Sequence, residues 1–173
     1  DAEKLNPRTI HLAGVEFYVA VAHARIQQCF AAAPSDRKAA VVKLARVARS
    51  LRLAARIPAL DAHALFVEAC LAWFKGDVKG STKVFAEAET LATTENLTWV
   101  IAAIARARAH ILRSEGKLEA ARDQARVAET LSREHGAIAR ARAIALEFGL
   151  ATAPTTQLSS ASRHSSRTNR QLS

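Results

Sequence analysis

The feature that most constrains the fold of this chain is an internal repeat. When the sequence is shifted by 40 positions, three helix-like segments fall into register: 41–48, 81–88 and 121–128. The leucines that follow these segments coincide as well: Leu51, Leu91 and Leu131. Gly76 falls on Gly116 in the same register. Repetition with a period of roughly 20–50 residues is typical of proteins that stack one supersecondary unit several times.

Each copy is predicted to contain two helices joined by a tight turn. In the second copy, residues 61–75 are apolar at helical spacing, and Gly76 then ends the helix because glycine adopts a left-handed conformation without a Cβ penalty. The return helix is predicted over 78–93. The third copy repeats this arrangement, with helices predicted over 97–114 and 117–134.

The first copy and the last helix are bounded by different signals. Pro34 breaks the helix of the first copy, and we expect the side chain of Ser35 or Asp36 to cap the helix that follows. Pro58 separates the first copy from the second. A final helix is predicted over 137–148, and we expect it to cap the stack.

These patterns predict an all-α fold, a superhelical stack of three helix–turn–helix repeats plus a capping helix. The repeats are placed near 16–55, 56–95 and 96–135, with the cap at 137–149, in one domain over residues 1–150. Residues 151–173 are rich in Ser, Thr and Arg without apolar periodicity, so they are predicted to form a solvated, disordered tail. Small residues are expected at four close helix contacts: Ala69, Ala88, Ala109 and Ala128.

Composition agrees with a helical protein in a reducing compartment. Half of the residues are apolar, and the abundant Ala, Leu, Arg, Lys and Glu are strong helix formers. No apolar run approaches the roughly 20 residues that cross a bilayer, so we expect no membrane partner. Cys29 and Cys70 give no disulfide framework, so we expect a cytoplasmic location. Because the sequence begins at Asp1 rather than methionine, we expect it to be a segment of a longer protein.

The repeats resemble tetratricopeptide repeats. The resemblance is carried by a small residue in the first helix, a turn, and a bulky residue and an alanine within the second helix. These positions are Ala69, Gly76-Asp77, Phe85 and Ala88 in the second copy, and Ala109, Gly116-Lys117 and Ala128 in the third. The period exceeds the family's length of about 34 residues. In this respect the chain is similar to the C-terminal repeat regions of bacterial signal-transduction ATPases of the maltose-regulator type and of multidomain serine/threonine kinases.

The resemblance implies a binding site, because the first helix of each tetratricopeptide repeat lines a concave groove. Positions carried over from the family give an apolar and aromatic floor with a cationic end: His23, Ile26, Phe30, His63, Phe66, Cys70, Trp73, Arg106, His110 and Arg113. A protein or peptide with apolar anchors and a carboxylate would complement this groove. The resemblance therefore implies a protein-interaction module, the sensor or scaffold region of a larger signalling protein. The alternative is that the aromatic residues only seal hairpin contacts and the arginines are solvated.

Two other functions remain open. The formal net charge is +9, and arginines crowd the last third of the chain: Arg106, Arg108, Arg113, Arg122, Arg126, Arg133, Arg140 and Arg142. A basic stripe is what a nucleic-acid-binding adaptor needs to neutralise phosphates. With only nine aromatic residues, and with Glu119, Asp123 and Glu129 available as helical partners, a solvated and partly ion-paired surface is favoured. Self-association of the stack is the other function left open.

No catalytic signature is present. The sequence lacks a Gly-rich phosphate loop and the H-E-x-x-H, G-x-S-x-G and C-x-x-C motifs, so we expect no enzyme and no cofactor. His23 and His63 occupy equivalent repeat positions, with Cys70 and His110 nearby, and these residue types bind metals. Packed helices lie roughly 8–10 Å apart, so we expect the two histidines to be too distant to share an ion.

Deletion of the predicted tail tests its boundary. Removing residues 155–173 is expected to leave thermal unfolding cooperative and its midpoint unchanged, because a segment without an apolar face adds nothing to the core. Differential scanning calorimetry of the full and truncated chains measures this. A loss of several degrees in the truncated chain would show that the tail packs against the helices.

Overall fold

The architecture is all-helical throughout the part that the structure describes. A computed structural model describes the backbone of residues 12–150 and the side chains of residues 16–150, and the predicted tail lies outside this range. Seven α-helices and no strand occur within it: α1 (Leu12–Ala31), α2 (Pro34–Ala54), α3 (Pro58–Phe74), α4 (Val78–Thr94), α5 (Thr98–Ser114), α6 (Leu118–Glu134) and α7 (Ile138–Phe148). The predicted fold class, all-α, is confirmed.

The helices follow the period of the sequence. From α3 onwards the helices begin at equal steps along the chain, at positions 58, 78, 98, 118 and 138, so α5 and α6 begin one full period after α3 and α4. The helices predicted for the second and third copies, and the last helix, are confirmed to within a few residues at each end. Because α7 begins one period after α5, it occupies the place of the first helix of a further hairpin.

A residue with a left-handed backbone conformation follows each helix from α3 to α7. Gly76 has a φ of 87°, and its N–H donates a 2.9 Å hydrogen bond to the carbonyl of Trp73. The N–H of Asp77 reaches back to the carbonyl of Ala72 at 3.0 Å, and together these bonds form a Schellman motif. Gly116 has a φ of 75° at the equivalent turn between α5 and α6. Glycine is favoured at these turns because a side chain strains the backbone at such angles.

The first hairpin departs from this pattern. α1 ends at Ala31 and α2 begins at Pro34. Ala33 is the N-cap of α2 and makes no side-chain capping bond, so the prediction that Ser35 or Asp36 caps this helix is wrong. Proline occupies the first helical position, where its missing N–H would have no partner in the helix. Asp36 lies in the first turn instead, where the helix dipole favours a carboxylate.

Alanines occupy buried positions between the helices. The four positions predicted for close contact are all fully buried: Ala69, Ala88, Ala109 and Ala128. Between α3 and α4 the hydroxyl of Ser81 donates a 2.9 Å hydrogen bond to the backbone carbonyl of Ala69, an approach that small side chains allow. Phe85 and Ala125 are buried at equivalent positions of α4 and α6, whereas Ala45 in α2 is only partly buried.

Two kinds of contact join one hairpin to the next. Helices that are neighbours in sequence pack against each other, and α3 also contacts α1 and α5. One apolar core runs through α1 to α5, and a second cluster joins α5, α6 and α7. The first helices of the hairpins therefore lie side by side, and their side chains meet in the layer that forms the candidate site.

Enlarging a buried alanine tests these close contacts. Replacing Ala88 or Ala128 by Leu is expected to lower the free energy of unfolding by about 1–3 kcal/mol, because extra methyl groups in a full core displace neighbouring atoms. Ala86→Leu on the exposed side of α4 is the matched control, with an expected change within about 0.5 kcal/mol. Urea denaturation measures all three variants, and unchanged midpoints for both buried positions would contradict close packing there.

Candidate binding face of the first helices

Side chains from α1, α3, α5 and α7 meet in two clusters. The Trp99 cluster consists of His23, His63, Phe66, Trp99 and Arg140. The His110 cluster consists of Phe30, Trp73, Arg106, His110, Arg113, Glu147 and Phe148. Each cluster combines aromatic rings with at least one guanidinium group, and aromatic residues and arginine are enriched at protein interfaces.

The rings of the Trp99 cluster pack against one another. The His23 ring stacks on Trp99 with a centroid distance of 5.0 Å and an interplanar angle of 28°. The centroid of Phe66 also lies 5.0 Å from that of His23. The guanidinium carbon of Arg140 lies 4.9 Å from the centroid of Trp99, within the range of a cation–π interaction. The four first helices thus each contribute a side chain to one aromatic assembly.

His23 and His63 are in direct contact, contrary to the distance expected from the sequence. The Nε2 atom of His23 lies 3.3 Å from the Nδ1 atom of His63. The expectation was wrong because it used the separation of helix axes, whereas side chains that point towards each other bridge most of that separation. Among the described residues, no group of three or more His, Cys, Asp or Glu side chains could hold a metal ion.

Both histidines are held neutral by their surroundings. Burial, together with the charges of His63 and Arg140, lowers the pKa of His23 from 6.5 to about 3. Burial lowers the pKa of His63 from 6.5 to about 4. A hydrogen bond between two ring nitrogens needs one ring to accept, which a neutral imidazole can do. The pair is therefore a contact between α1 and α3 that protonation of both rings would break, because neither ring could then accept.

The His110 cluster is organised around Glu147 of α7. Arg106 donates two hydrogen bonds to Oε2 of Glu147, one of 2.9 Å from Nε and one of 2.7 Å from Nη2. The Nε2 atom of His110 lies 3.0 Å from Oε1 of the same carboxylate. Arg113 donates a 3.0 Å hydrogen bond to the backbone carbonyl of Glu147, and its guanidinium carbon lies 4.6 Å from the ring centroid of Phe148. These contacts tie α5 to α7.

The carboxylate of Glu147 stays ionised because of its neighbours. Partial burial raises its pKa, but the interactions with His110 and Arg106 outweigh that effect and hold the pKa at about 2. The His110 ring in turn stacks on Phe30 of α1, with a centroid distance of 4.2 Å and an interplanar angle of 11°. The charges of Arg106 and Glu147 are therefore used within the cluster.

The residues predicted to line a groove are divided between core and surface. Three have almost no exposed surface: Ile26, Phe66 and Cys70. His63 and His110 are also buried. Four are partly exposed, namely His23, Phe30, Trp73 and Arg106. Arg113 is exposed. Neighbouring helices cover the buried side chains, so in this conformation only the partly exposed and exposed residues can contact a partner.

A small pocket opens between α1, α5 and α7. Its volume is about 150 Å³, and its lining includes Gln27, Trp99, Ala103, Arg106, Arg140 and Ile144. Arg106 is paired with Glu147, whereas Arg140 has no carboxylate within ion-pair distance among the described residues. Burial and the nearby charge of Arg106 lower the pKa of Arg140. Two like charges thus meet at this pocket, and only one of them is neutralised.

Trp99, Arg140 and Glu147 are site residues that sequence reasoning missed. Glu147 lies 41 residues after its partner Arg106, so the pairing follows the repeat closely. Extending the register by one further period of 40 residues places the helix over 138–148 among the first helices. The charged residues of that helix then lie beside those of α5. Assigning the last helix as a cap hides this role, because a cap contributes no side chains to a shared layer.

A larger cavity of about 450 Å³ lies among α3, α4, α5 and α6. Apolar side chains form much of its wall: Trp73, Val78, Phe85, Ile111 and Leu112. Its three charged lining residues all have ion-pair partners, namely Arg108 with Glu89, Glu115 with Lys117 and Asp123 with Arg126. The cavity therefore offers apolar surface but no unpaired charge with which to select a ligand.

Comparisons of the chain with protein-family models, with curated proteins and with solved structures found no match. None of the described helices combines the length and the apolar character that a bilayer span requires. The fold and the site therefore define an architectural class, an all-helical protein whose first helices share a layer of aromatic and charged side chains.

Titration of the histidine pair is expected to lower stability as the pH falls from about 6.5 to about 4 for His63 and to about 3 for His23. Because both pKa values are lowered on folding, the unfolded chain takes up protons below pH 6.5 that the folded chain does not, and stability falls as the pH falls. The loss is at most about 1.4 kcal/mol per pH unit for each histidine. Urea denaturation across this range measures it.

Two variants separate this effect from general acid sensitivity. The double variant His23→Gln/His63→Gln is expected to show a shallower pH dependence than the wild type, while His135→Gln on the surface keeps the wild-type slope. Glu147 contributes only below pH 4.5, because its lowered pKa removes stability as the pH falls from 4.5 to about 2, so the comparison uses the slopes between pH 6.5 and pH 4.5. A wild-type slope that survives in the double variant would refute the assignment.

Proposed function

We propose that the chain is a protein-interaction module, the sensor or scaffold region of a larger signalling protein, and that it binds a peptide segment at the pocket between α1, α5 and α7. The observation that carries this proposal is Arg140, a partly buried guanidinium over Trp99 without a carboxylate partner among the described residues. The repeat architecture supports the proposal, because stacked helical hairpins present extended faces to partners.

An acidic side chain complements the charge of this pocket, and an adjacent apolar residue complements its walls. The charge of Arg106 repels that of Arg140, and a carboxylate placed beside Arg140 would favour its charged form. A guanidinium binds a carboxylate through two parallel hydrogen bonds. Trp99, Ala103 and Ile144 supply apolar wall beside this position. The proposed ligand is thus an Asp or Glu side chain next to an apolar residue, on a protein or peptide partner.

The nucleic-acid alternative is less well supported, because arginines of α6 are paired with acidic residues. Three exposed arginines of α6 each pair with an acidic residue about one turn away: Arg122 with Glu119, Arg126 with Asp123 and Arg133 with Glu129. Helical pairs of this kind contribute only about 0.2–0.5 kcal/mol each to stability. They do, however, offset the positive potential that would attract a polyanion to this helix.

The outer side of α7 carries exposed apolar side chains of the kind that self-association requires. The side chain of Leu146 is 80% exposed, and that of Ile138 on the same helix is exposed as well. Two aliphatic side chains are a small apolar surface compared with the roughly 800 Å² per partner of a stable interface. The structure therefore favours the pocket at Arg140 over a dimer contact at α7.

A displayed library of random peptides tests the proposed site. Selection on the full chain is expected to enrich sequences with Asp or Glu next to an apolar residue. Arg140→Gln is expected to weaken binding of an enriched peptide about tenfold or more, because hydrogen bonds to charged groups contribute about 1.5–3 kcal/mol. Fluorescence anisotropy with a labelled synthetic peptide measures the dissociation constants.

Arg142→Gln is the matched control for that experiment. Arg142 lies on the same helix, carries the same charge and is exposed, so its removal is expected to change affinity no more than about twofold. Equal losses of affinity in the two variants would show that the effect comes from net charge and not from the position of Arg140. Enrichment of peptides without acidic residues would contradict the proposed ligand.

Phe66→Ala is expected to lower stability, since the ring of Phe66 is buried in the core.

A further inference from the structure

The exposed side of α2 carries basic residues that no acidic residue accompanies. Five of them, the last just beyond the end of the helix, form a surface that we call the α2 basic face: Lys38, Lys43, Arg46, Arg49 and Arg56. All five are exposed, and none forms an ion pair among the described residues. The nearest acidic residue before them is Asp36, and the next one along the chain is Asp61. The face is therefore a row of unpaired cations with no acidic residue between them in the sequence.

The equivalent surfaces of the other second helices are different. On α4 the positions that match three of these cations hold an aliphatic residue, an alanine and a glutamate: Val78, Ala86 and Glu89. Lys83, which matches Lys43, lies 3.9 Å from the carboxylate of Glu87. On α6 the exposed arginines pair with acidic residues of their own helix. A row of several unpaired cations thus occurs on α2 and does not recur on α4 or α6.

Helical geometry arranges most of these cations along one line. Successive residues turn by about 100°, so positions 38, 42, 46, 49 and 53 share one side of the helix, and position 43 lies at its edge. At a rise of about 1.5 Å per residue, Lys38 and Arg49 are separated by about 16 Å along the axis. Two aliphatic side chains, Val42 and Leu53, share this side and are exposed. The opposite side of α2 faces the core.

We propose that the α2 basic face binds the phosphate backbone of nucleic acid without regard to base sequence. A duplex carries one negative charge per roughly 1.7 Å of its axis, so it can neutralise a line of cations that has no acids in between. Arginine adds paired hydrogen bonds to phosphate oxygens. α2 contains no aromatic residue on which a base could stack. This surface is separate from the pocket at Arg140 and does not depend on it.

A membrane surface fits the α2 basic face less well. Interfacial helices bury an apolar side in the lipid, but the apolar side of α2 is occupied by the core, where Leu44, Val47 and Leu51 are buried. Only Val42 and Leu53 could enter the lipid. An acidic protein would have to align several carboxylates along the helix, whereas a phosphate backbone presents evenly spaced charges along its whole length.

Salt-dependent binding of matched triple variants tests the proposal. The full chain is titrated into a fluorescein-labelled DNA duplex of arbitrary sequence, and anisotropy gives the affinity between about 50 and about 200 mM KCl. Affinity is expected to fall with a slope of about 0.9 per phosphate contact. Lys38→Gln/Arg46→Gln/Arg49→Gln removes three contacts, so the salt-dependent loss of affinity over this range is expected to be about 40-fold smaller than in the wild type.

The control variant removes the same charge from α6. Arg122→Gln/Arg126→Gln/Arg133→Gln is expected to keep the wild-type salt slope, and circular dichroism confirms that both variants are folded. Equal slope changes in the two variants would overturn the proposal in favour of net charge. A slope that changes only in a third variant, Arg163→Gln/Arg167→Gln/Arg170→Gln, would overturn it in favour of residues 151–173. Tighter binding to phosphatidylserine vesicles or to polyglutamate than to the duplex would overturn it in favour of a membrane or an acidic protein.

Discussion

Close packing of helices at alanine positions is the contact on which the rest of the structure depends. Where Ala69 faces the second helix of its hairpin, the backbones come near enough for Ser81 to donate a hydrogen bond to a main-chain carbonyl. The same kind of position recurs one repeat later at Ala109, which is also fully buried. The first helices of successive hairpins contact each other side by side, and His23 meets His63 across one repeat.

Charged residues at equivalent positions distinguish one hairpin from the next. Glu68 of α3 accepts hydrogen bonds of 2.7 and 2.6 Å from Arg52 of α2. Its counterpart in the next repeat is Arg108 of α5, which pairs with Glu89 of α4 at 2.7 Å. Such partly exposed pairs contribute only about 0–1 kcal/mol each. Their reversed sign means that the two hairpins are not interchangeable, because Arg108 in the place of Glu68 would face Arg52.

Both proposed binding surfaces follow from where the charges are left unpaired. In the His110 cluster, Arg106 and Glu147 neutralise each other across α5 and α7, so little charge remains for a partner. Arg140 is partly buried and lacks such a carboxylate, and burying a cation without a counter-ion costs free energy. A bound acidic group would recover that cost. On α2 the cations are in water and cost little, but their shared sign along one side of a helix attracts a polyanion.

The sequence by itself determined the helices, their turns and the small residues between them, because these depend on local periodicity and on neighbours within a few residues. It failed at Ser35, because the proline just before it fixed the start of the helix first. Only the tertiary structure decided that Phe66 is core and that Arg140 reaches Trp99, because the exposed side of a first helix is set by the helices packed on it. Those contacts join residues a whole repeat apart, and the direction of a side chain across that gap is fixed only when the hairpins pack together.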